Sequence, residues 1–235
     1  MNILAMDTSN QALGVALLKD GQLAGEMVTN IKKNHSVRLM PAIDQLMREV
    51  NMLPDELDKV VVAKGPGSYT GVRIGLTTAK SMAWALDIPV IGVSSLEVLA
   101  YQGSFFDAAV CPFFDARRGL VYTGLYQWDE GKSQLLKEEQ NISMESWLQQ
   151  LGQVNHKIMF LSPDIKVHQD AILEALGDQA IIPEQPFHIA KPSHLAIAGM
   201  NKNPDHTHTL TPNYLRLAEA EANWKKKQKE NQNDG

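Results

Sequence analysis

The first thirty residues alternate between short apolar runs and polar breaks, a pattern that predicts strands. Ile3 to Met6 is apolar and stops at Asp7-Thr8-Ser9-Asn10. Leu13 to Leu18 follows, then the turn Lys19-Asp20-Gly21, then Leu23 to Thr29. Asp-Gly between two such runs signals a hairpin, so the three strands form an antiparallel meander. The period then changes. Leu39, Ile43, Leu46, Met47, Val50 and Leu53 recur at three- and four-residue steps, which predicts a helix from about Ser36 to Asn51 with Ser36 as its N-cap. Pro41 must then fall near the first turn or kink the helix.

Val60 to Ala63 is continuously apolar, as in a strand buried on both faces. It runs into Gly65-Pro66-Gly67-Ser68-Tyr69-Thr70-Gly71 and a helix from Gly71 to Leu86. Pro89 to Val93 predicts another buried strand, and Ser94 or Ser95 caps a helix over Leu96 to Tyr101. The order βββαβαβα implies a mixed sheet covered by helices. From Ala108 the meander pattern returns: Val110 to Asp115 and Leu120 to Gln127 flank the turn Ala116-Arg117-Arg118-Gly119. Asp129 to Gln140 is polar and weakly patterned. Helices are predicted at Ser143 to Leu151, Ile165 to Leu176 and Ser193 to Met200, with strands at Lys157 to Leu161 and Ala180 to Ile182. The echo of the opening meander points to two related lobes.

Composition narrows the class. The chain has 235 residues, 44% of them apolar, enough for a sizeable core, and a net charge of −5 that argues against broad phosphate binding. The N-terminal run lacks a basic start and breaks at Asp7, unlike a signal peptide, and no stretch reaches about 18 apolar residues. A cytoplasmic, membrane-free protein is expected. One cysteine, Cys111, excludes an internal disulfide and reads as a small buried hydrophobe.

The candidate chemistry is sparse. The glycine-rich loop lies where a strand feeds a helix, a place where backbone N–H groups can cradle phosphate. It lacks the Gly-Lys-Ser/Thr ending of a Walker loop. The alternative is a tight turn whose glycines supply unusual backbone angles. In the following helix Gly71, Gly75, Ala79 and Ala83 line one face and suggest close helix packing, internal or across an interface. His206-Thr207-His208 sits in a polar loop and does not have the spacing of a helical metal pair. Arg117-Arg118 and Lys225-Lys226-Lys227 are short basic clusters that fit a solvated face or an RNA contact.

Lys64 to Gly75, reading Lys-Gly-Pro-Gly-Ser-Tyr-Thr-Gly-Val-Arg-Ile-Gly, resembles the TsaB (YeaZ) family. Ala5-Met6-Asp7-Thr8-Ser9, His35-Ser36 with Leu39-Met40-Pro41, Asp115 to Tyr122, Pro212 to Arg216 and Glu219-Ala220-Glu221 agree with it. The resemblance implies an α/β, actin-like (ASKHA) fold of two lobes, each with a mixed sheet of βββαβα type. The lobes would span 1–103, completed by a C-terminal helix within 192–222, and 104–191, with a disordered polar tail at 223–235. It implies a non-catalytic subunit with no cofactor or metal. Such a subunit docks TsaD, joins TsaE in a ternary complex, reaches tRNA only through that complex, and forms a homodimer when alone. In the TsaD-like sister family a His-x-x-x-His stretch binds metal; here the matching positions are Ser95 and Leu99, and Glu97 becomes a helix-cap residue. The partner surface expected from the two helices comprises Leu39, Ile43, Leu46, Met47 and Val50 with Gly71, Val72, Gly75, Ala79, Met82 and Ala83. The alternative is an actin-like kinase or a glycoprotease-type peptidase acting alone.

Overall fold

The computed structural model describes residues 1–215 apart from Glu130 and Asn155. Its first sheet contains β1 (Ile3–Asp7), β2 (Leu13–Lys19), β3 (Gln22–Thr29), β4 (Lys59–Ala63) and β5 (Val90–Val93) in the order β3-β2-β1-β4-β5. The meander is antiparallel, and β4 and β5 are parallel to β1. The second sheet contains β6 (Ala109–Asp115), β7 (Leu120–Asp129), β8 (Lys132–Ser143), β9 (Ile158–Leu161) and β10 (Ala180–Ile181) in the order β10-β9-β6-β7-β8. Strand for strand it repeats the first: an antiparallel meander with two parallel strands beside its first member. This is the actin-like architecture of two related mixed sheets. The segment Asp129 to Gln140, weakly patterned in sequence, is largely β8. It lies at the sheet edge, where a strand needs no strict apolar alternation.

Among the described residues six helices cover the sheets: α1 (Leu39–Glu49), α2 (Tyr69–Leu86), α3 (Ser95–Ala100), α4 (Met144–Leu151), α5 (Ile165–Leu176) and α6 (Pro192–Met200). Successive residues of a strand face opposite sides, so β4 divides its apolar run. Val60 and Val62 join the core under α1 and α2, while Val61 and Ala63 join the core under α6. Helix α3 lies between the sheets: Val98 packs on the first, and Leu96, Leu99 and Ala100 pack with Phe114, Tyr126 and Met159 of the second. In the second sheet α4 and α5 cover a core of Cys111, Phe113, Trp147, Phe160 and Ile172.

Two local expectations change. Helix α1 begins at Leu39, with Pro41 in its first turn. Asn34, not Ser36, caps the preceding 3-10 turn His35–Val37 by accepting from the Ser36 N–H. Helix α2 starts at Tyr69, where the Ser68 hydroxyl accepts from the Gly71 N–H. A larger correction concerns the expected partner surface. Leu39, Ile43, Leu46 and Met47 are buried against the chain's own first sheet, as are Gly71, Val72, Gly75, Ala79 and Ala83. Only Val50 and Met82 of the eleven are partly exposed. The apolar surface of α1 is consumed by β2 and β3; Gly25 of β3 leaves room for Leu46 and Val50. The small-residue stripe of α2 faces inward for the same reason. A Cβ on Gly71 would lie 2.1 Å from the Thr8 carbonyl oxygen, and one on Gly75 would lie 2.7 Å from Thr8 Oγ1.

Gly71→Ala therefore meets backbone, not a yielding side chain. It should destabilise the chain by about 2 kcal/mol or more, although alanine favours a helix by about 1 kcal/mol. Urea denaturation measures it; an unchanged or raised midpoint would show that α2 does not approach β1 this closely. By the same geometry Ala79→Arg should leave no folded protein.

Candidate functional site

A cleft of about 650 Å3 opens between the two sheets, where the ends of β1 and β6 come together. From the first lobe it takes Asn10, Gln11 and Asn30, with Gly67, Ser68 and Tyr69 of the glycine-rich loop. From the second it takes Phe114 to Arg118 and Tyr122, with Pro163, Asp164 and Tyr214 completing the wall.

The glycine-rich loop forms part of this wall, and part of its backbone is bonded within the chain. The Ser68 N–H donates to the Ser9 carbonyl at 2.6 Å, and the Gly65 N–H donates to Ser95 Oγ at 3.1 Å. A Cβ at Gly67 would sit 2.2 Å from the Ser9 oxygen. Gly65 has φ +93, so it supplies a left-handed turn as well as close approach. The loop closes on Thr8 and Ser9, and these donors are not presented to a phosphate. Thr8 Oγ1 ties the two from the other side, donating to the Gly71 carbonyl at 2.7 Å.

Asp7 and Asp115 end the equivalent strands β1 and β6. Asp7 is buried and accepts from the Ser9 N–H at 2.8 Å; burial pushes its carboxyl above the usual range. Asp115 contacts His168 Nε2 at 3.0 Å and accepts from the Arg117 N–H at 3.2 Å. Asp164 accepts from the Asp115 N–H at 3.1 Å, and burial raises its carboxyl too. Among the described residues no hydroxyl or thiol is hydrogen-bonded to His168, so the pair lacks the nucleophile of a hydrolase triad. No group of three or more His, Cys, Asp or Glu among them could hold a metal ion. Cys111 is buried, accepts from Trp147 Nε1 at 3.2 Å, and has its thiol pushed up to about 11. It is a core residue, not a nucleophile.

Ser95 and Leu99, which stand where the resemblance places metal-binding imidazoles, are 1% and 0% exposed within the joint between the sheets. Glu97 is paired with Lys202 at 2.6 Å, and Ser94 is the residue that caps α3. Ser94 also donates to Glu139 of β8, which accepts in addition from the Tyr126 hydroxyl and from Asn213 Nδ2. One carboxylate thus ties the first lobe, the second lobe and the C-terminal segment. Sequence pattern gave no signal for Glu139, which lies in the polar stretch of β8. Arg117 and Arg118, singled out as a basic pair, do line the cleft. Of the interface residues expected from sequence, none lines it.

A family model described as TsaD, tRNA N6-adenosine threonylcarbamoyltransferase, matches residues 22–224. The tRNA threonylcarbamoyladenosine biosynthesis protein TsaB of Bacillus subtilis strain 168 is 50% identical over 97% of this chain and 100% of its own length. The TsaB protein of Escherichia coli K12 is 35% identical over 55% of this chain and 57% of its own. The structure of YeaZ from Pseudomonas aeruginosa superposes with a TM-score of 0.74 and 26% identity, covering 91% of this chain and 99% of that one. The chain belongs to the TsaB family. Membership assigns it a role in tRNA threonylcarbamoyladenosine biosynthesis. Its Arg-Arg turn, glycine loop and Tyr214, distant in sequence, gather at this one cleft. No helix among the described residues of this TsaB-family chain is long and apolar enough to cross a membrane.

The far wall of the cleft depends on a neutral histidine. His188 Nδ1 accepts from the Ser162 N–H at 3.1 Å while Nε2 donates to the Pro183 carbonyl at 2.9 Å. Burial lowers its pKa below the ordinary 6.5. The folded state therefore binds this proton more weakly than the unfolded chain does. Its contribution is complete above pH 6.5 and is lost as pH falls below that value. His194 is lowered in the same direction by burial. The urea midpoint should fall between pH 7 and pH 5, and His188→Asn should show a smaller fall. An acid-side loss identical in the variant would remove His188 as its source.

Proposed function

We propose that this chain is a non-catalytic accessory subunit that docks the transferase TsaD, with TsaE as a third component, in threonylcarbamoyl transfer to tRNA. The reading rests on the closed glycine loop. Two of its donors, the Ser68 and Gly65 amides, are spent on Ser9 and Ser95 and so are withdrawn from the phosphate grip that a kinase of this fold would use. The burial of Ser95 and Leu99 supports it, because a core serine and leucine offer no metal ligands. The alternative of a lone kinase or peptidase has no comparable observation behind it. On this reading the chain holds no cofactor, meets tRNA within the complex, and works in the cytoplasm. Residues 1–103 form the first lobe, to which α6, within 192–222, returns, and residues 104–191 form the second; the tail at 223–235 lies outside the described residues.

The docking face we propose lies on the outer sides of α1 and α2, whose inner sides are filled by the first sheet. Trp84 is 72% exposed and Met40 49% exposed, and Val50 and Met82 reach the surface in part. Exposed large apolar residues on neighbouring helices fit a partner contact. A homodimer through the same face would compete with TsaD. Trp84→Glu with Met40→Glu should leave the circular dichroism spectrum unchanged and abolish co-elution with the cognate TsaD in size exclusion. Retained co-elution would move the interface elsewhere. The isolated chain should show no ATP turnover; turnover lost on changing Asp7 or Thr8 would overturn the non-catalytic reading.

A further inference from the structure

We infer that the mouth of the interlobe cleft is a contact surface for single-stranded RNA, the loop of a stem-loop held by its phosphates at the rim with a base directed inward. This rests on the reading of the chain as a subunit of a tRNA-modifying complex and names the part of it that meets RNA.

Three observations converge. First, cations border the cleft although the chain as a whole carries −5. Arg117 and Arg118 line it, Lys32 and Lys33 follow Asn30 in an exposed loop, and Arg73 is exposed beside Tyr214. Arg117 and Arg118 adopt φ +66 and +55, backbone that glycine would occupy at lower cost, so two charged side chains are displayed there against local preference. Second, a planar stack stands at the same mouth. The Tyr69 and Tyr214 rings stack at 5.7 Å, and the Arg73 guanidinium lies 3.9 Å above Tyr69. All three side chains are exposed, and rings with a guanidinium plane are what unpaired bases stack on. Third, the floor is polar and acidic. Asp115 and Asp164 repel phosphate, and they and the amide oxygens of Asn10 and Gln11 can accept from the amine edge of a base. A free nucleoside triphosphate fits less well, because the Ser68 amide of the loop that would hold its phosphates is bonded to Ser9 and Gly67 is packed against it.

The test uses the full chain in complex with its cognate transferase subunit, formation of which is measured first for every variant by size exclusion. A fluorescent RNA stem-loop and a blunt RNA duplex of equal length are titrated by anisotropy across a salt series. The stem-loop should bind more tightly than the duplex. Arg117→Gly, which relaxes the turn while removing its charge, should weaken stem-loop binding at least about fivefold and lower the salt slope by about one. Tyr69→Ala should weaken it by a similar factor with an unchanged slope. Equal binding by both variants and the unmodified chain would overturn the inference, as would duplex bound as tightly as stem-loop. Displacement of the stem-loop by stoichiometric ATP would also overturn it and make the cleft a mononucleotide site. Failure of the unmodified chain to co-elute with the transferase would instead remove the subunit reading. In that case the same probe on the chain alone decides the cleft: binding lost in Arg117→Gly supports it, and no binding overturns it.

Discussion

The close approach between the end of β1 and the start of α2 organises the first lobe. Thr8 and Ser9 present carbonyl oxygens that Gly67 and Gly71 can meet only because neither has a Cβ. The Ser68 amide bonds one of them, and Thr8 Oγ1 returns a bond to Gly71. Once α2 is drawn down to this depth, its small-residue face lies on β4 and its larger residues are set outward. The same contact engages the Ser68 amide, one of the backbone donors that a phosphate-binding loop would offer. A packing constraint thus draws part of the glycine loop onto β1 while fixing the helix that carries the proposed docking face.

The two lobes share a topology but differ in how the equivalent strand ends are used. Asp7 is buried and tied to its own turn, while Asp115 remains partly exposed in the cleft with His168 and Asp164 around it. Between the lobes, α3 supplies apolar side chains to both sheets, and Glu139 gathers Ser94, Tyr126 and Asn213. Burial and the nearby carboxylate push the Tyr126 phenol well above its ordinary range, so it stays a hydrogen-bond donor to Glu139. The joint is both apolar and hydrogen-bonded, which fixes the relative placement of the walls that form the cleft.

Local physics in the sequence specified much of this. The change from a period of two to one of three or four marked the meander and α1, and the Asp-Gly turn and the unbroken Val60-Val61-Val62 run marked the next elements. The resemblance at Lys64 to Gly75 led to the family. What pattern could not decide was direction. A stripe of Gly71, Gly75, Ala79 and Ala83 says that something comes close, not whether it is the chain's own strand or another protein; the position of Thr8 settled that it is the strand. The apolar side of α1 was likewise assigned outward because its period does not reveal how much sheet lies beneath it. The edge strand β8, and with it Glu139, was invisible because an edge is satisfied by backbone pairing and leaves its side chains free of a strict pattern. Tyr69 and Arg73 stand four apart on α2, as a local rule allows, but Tyr214 joins them only through the fold, since it lies 141 residues from Arg73. Sequence determines where short-range preferences and periods are strong; tertiary structure decides which surfaces meet, because that depends on contacts between residues that no local pattern links.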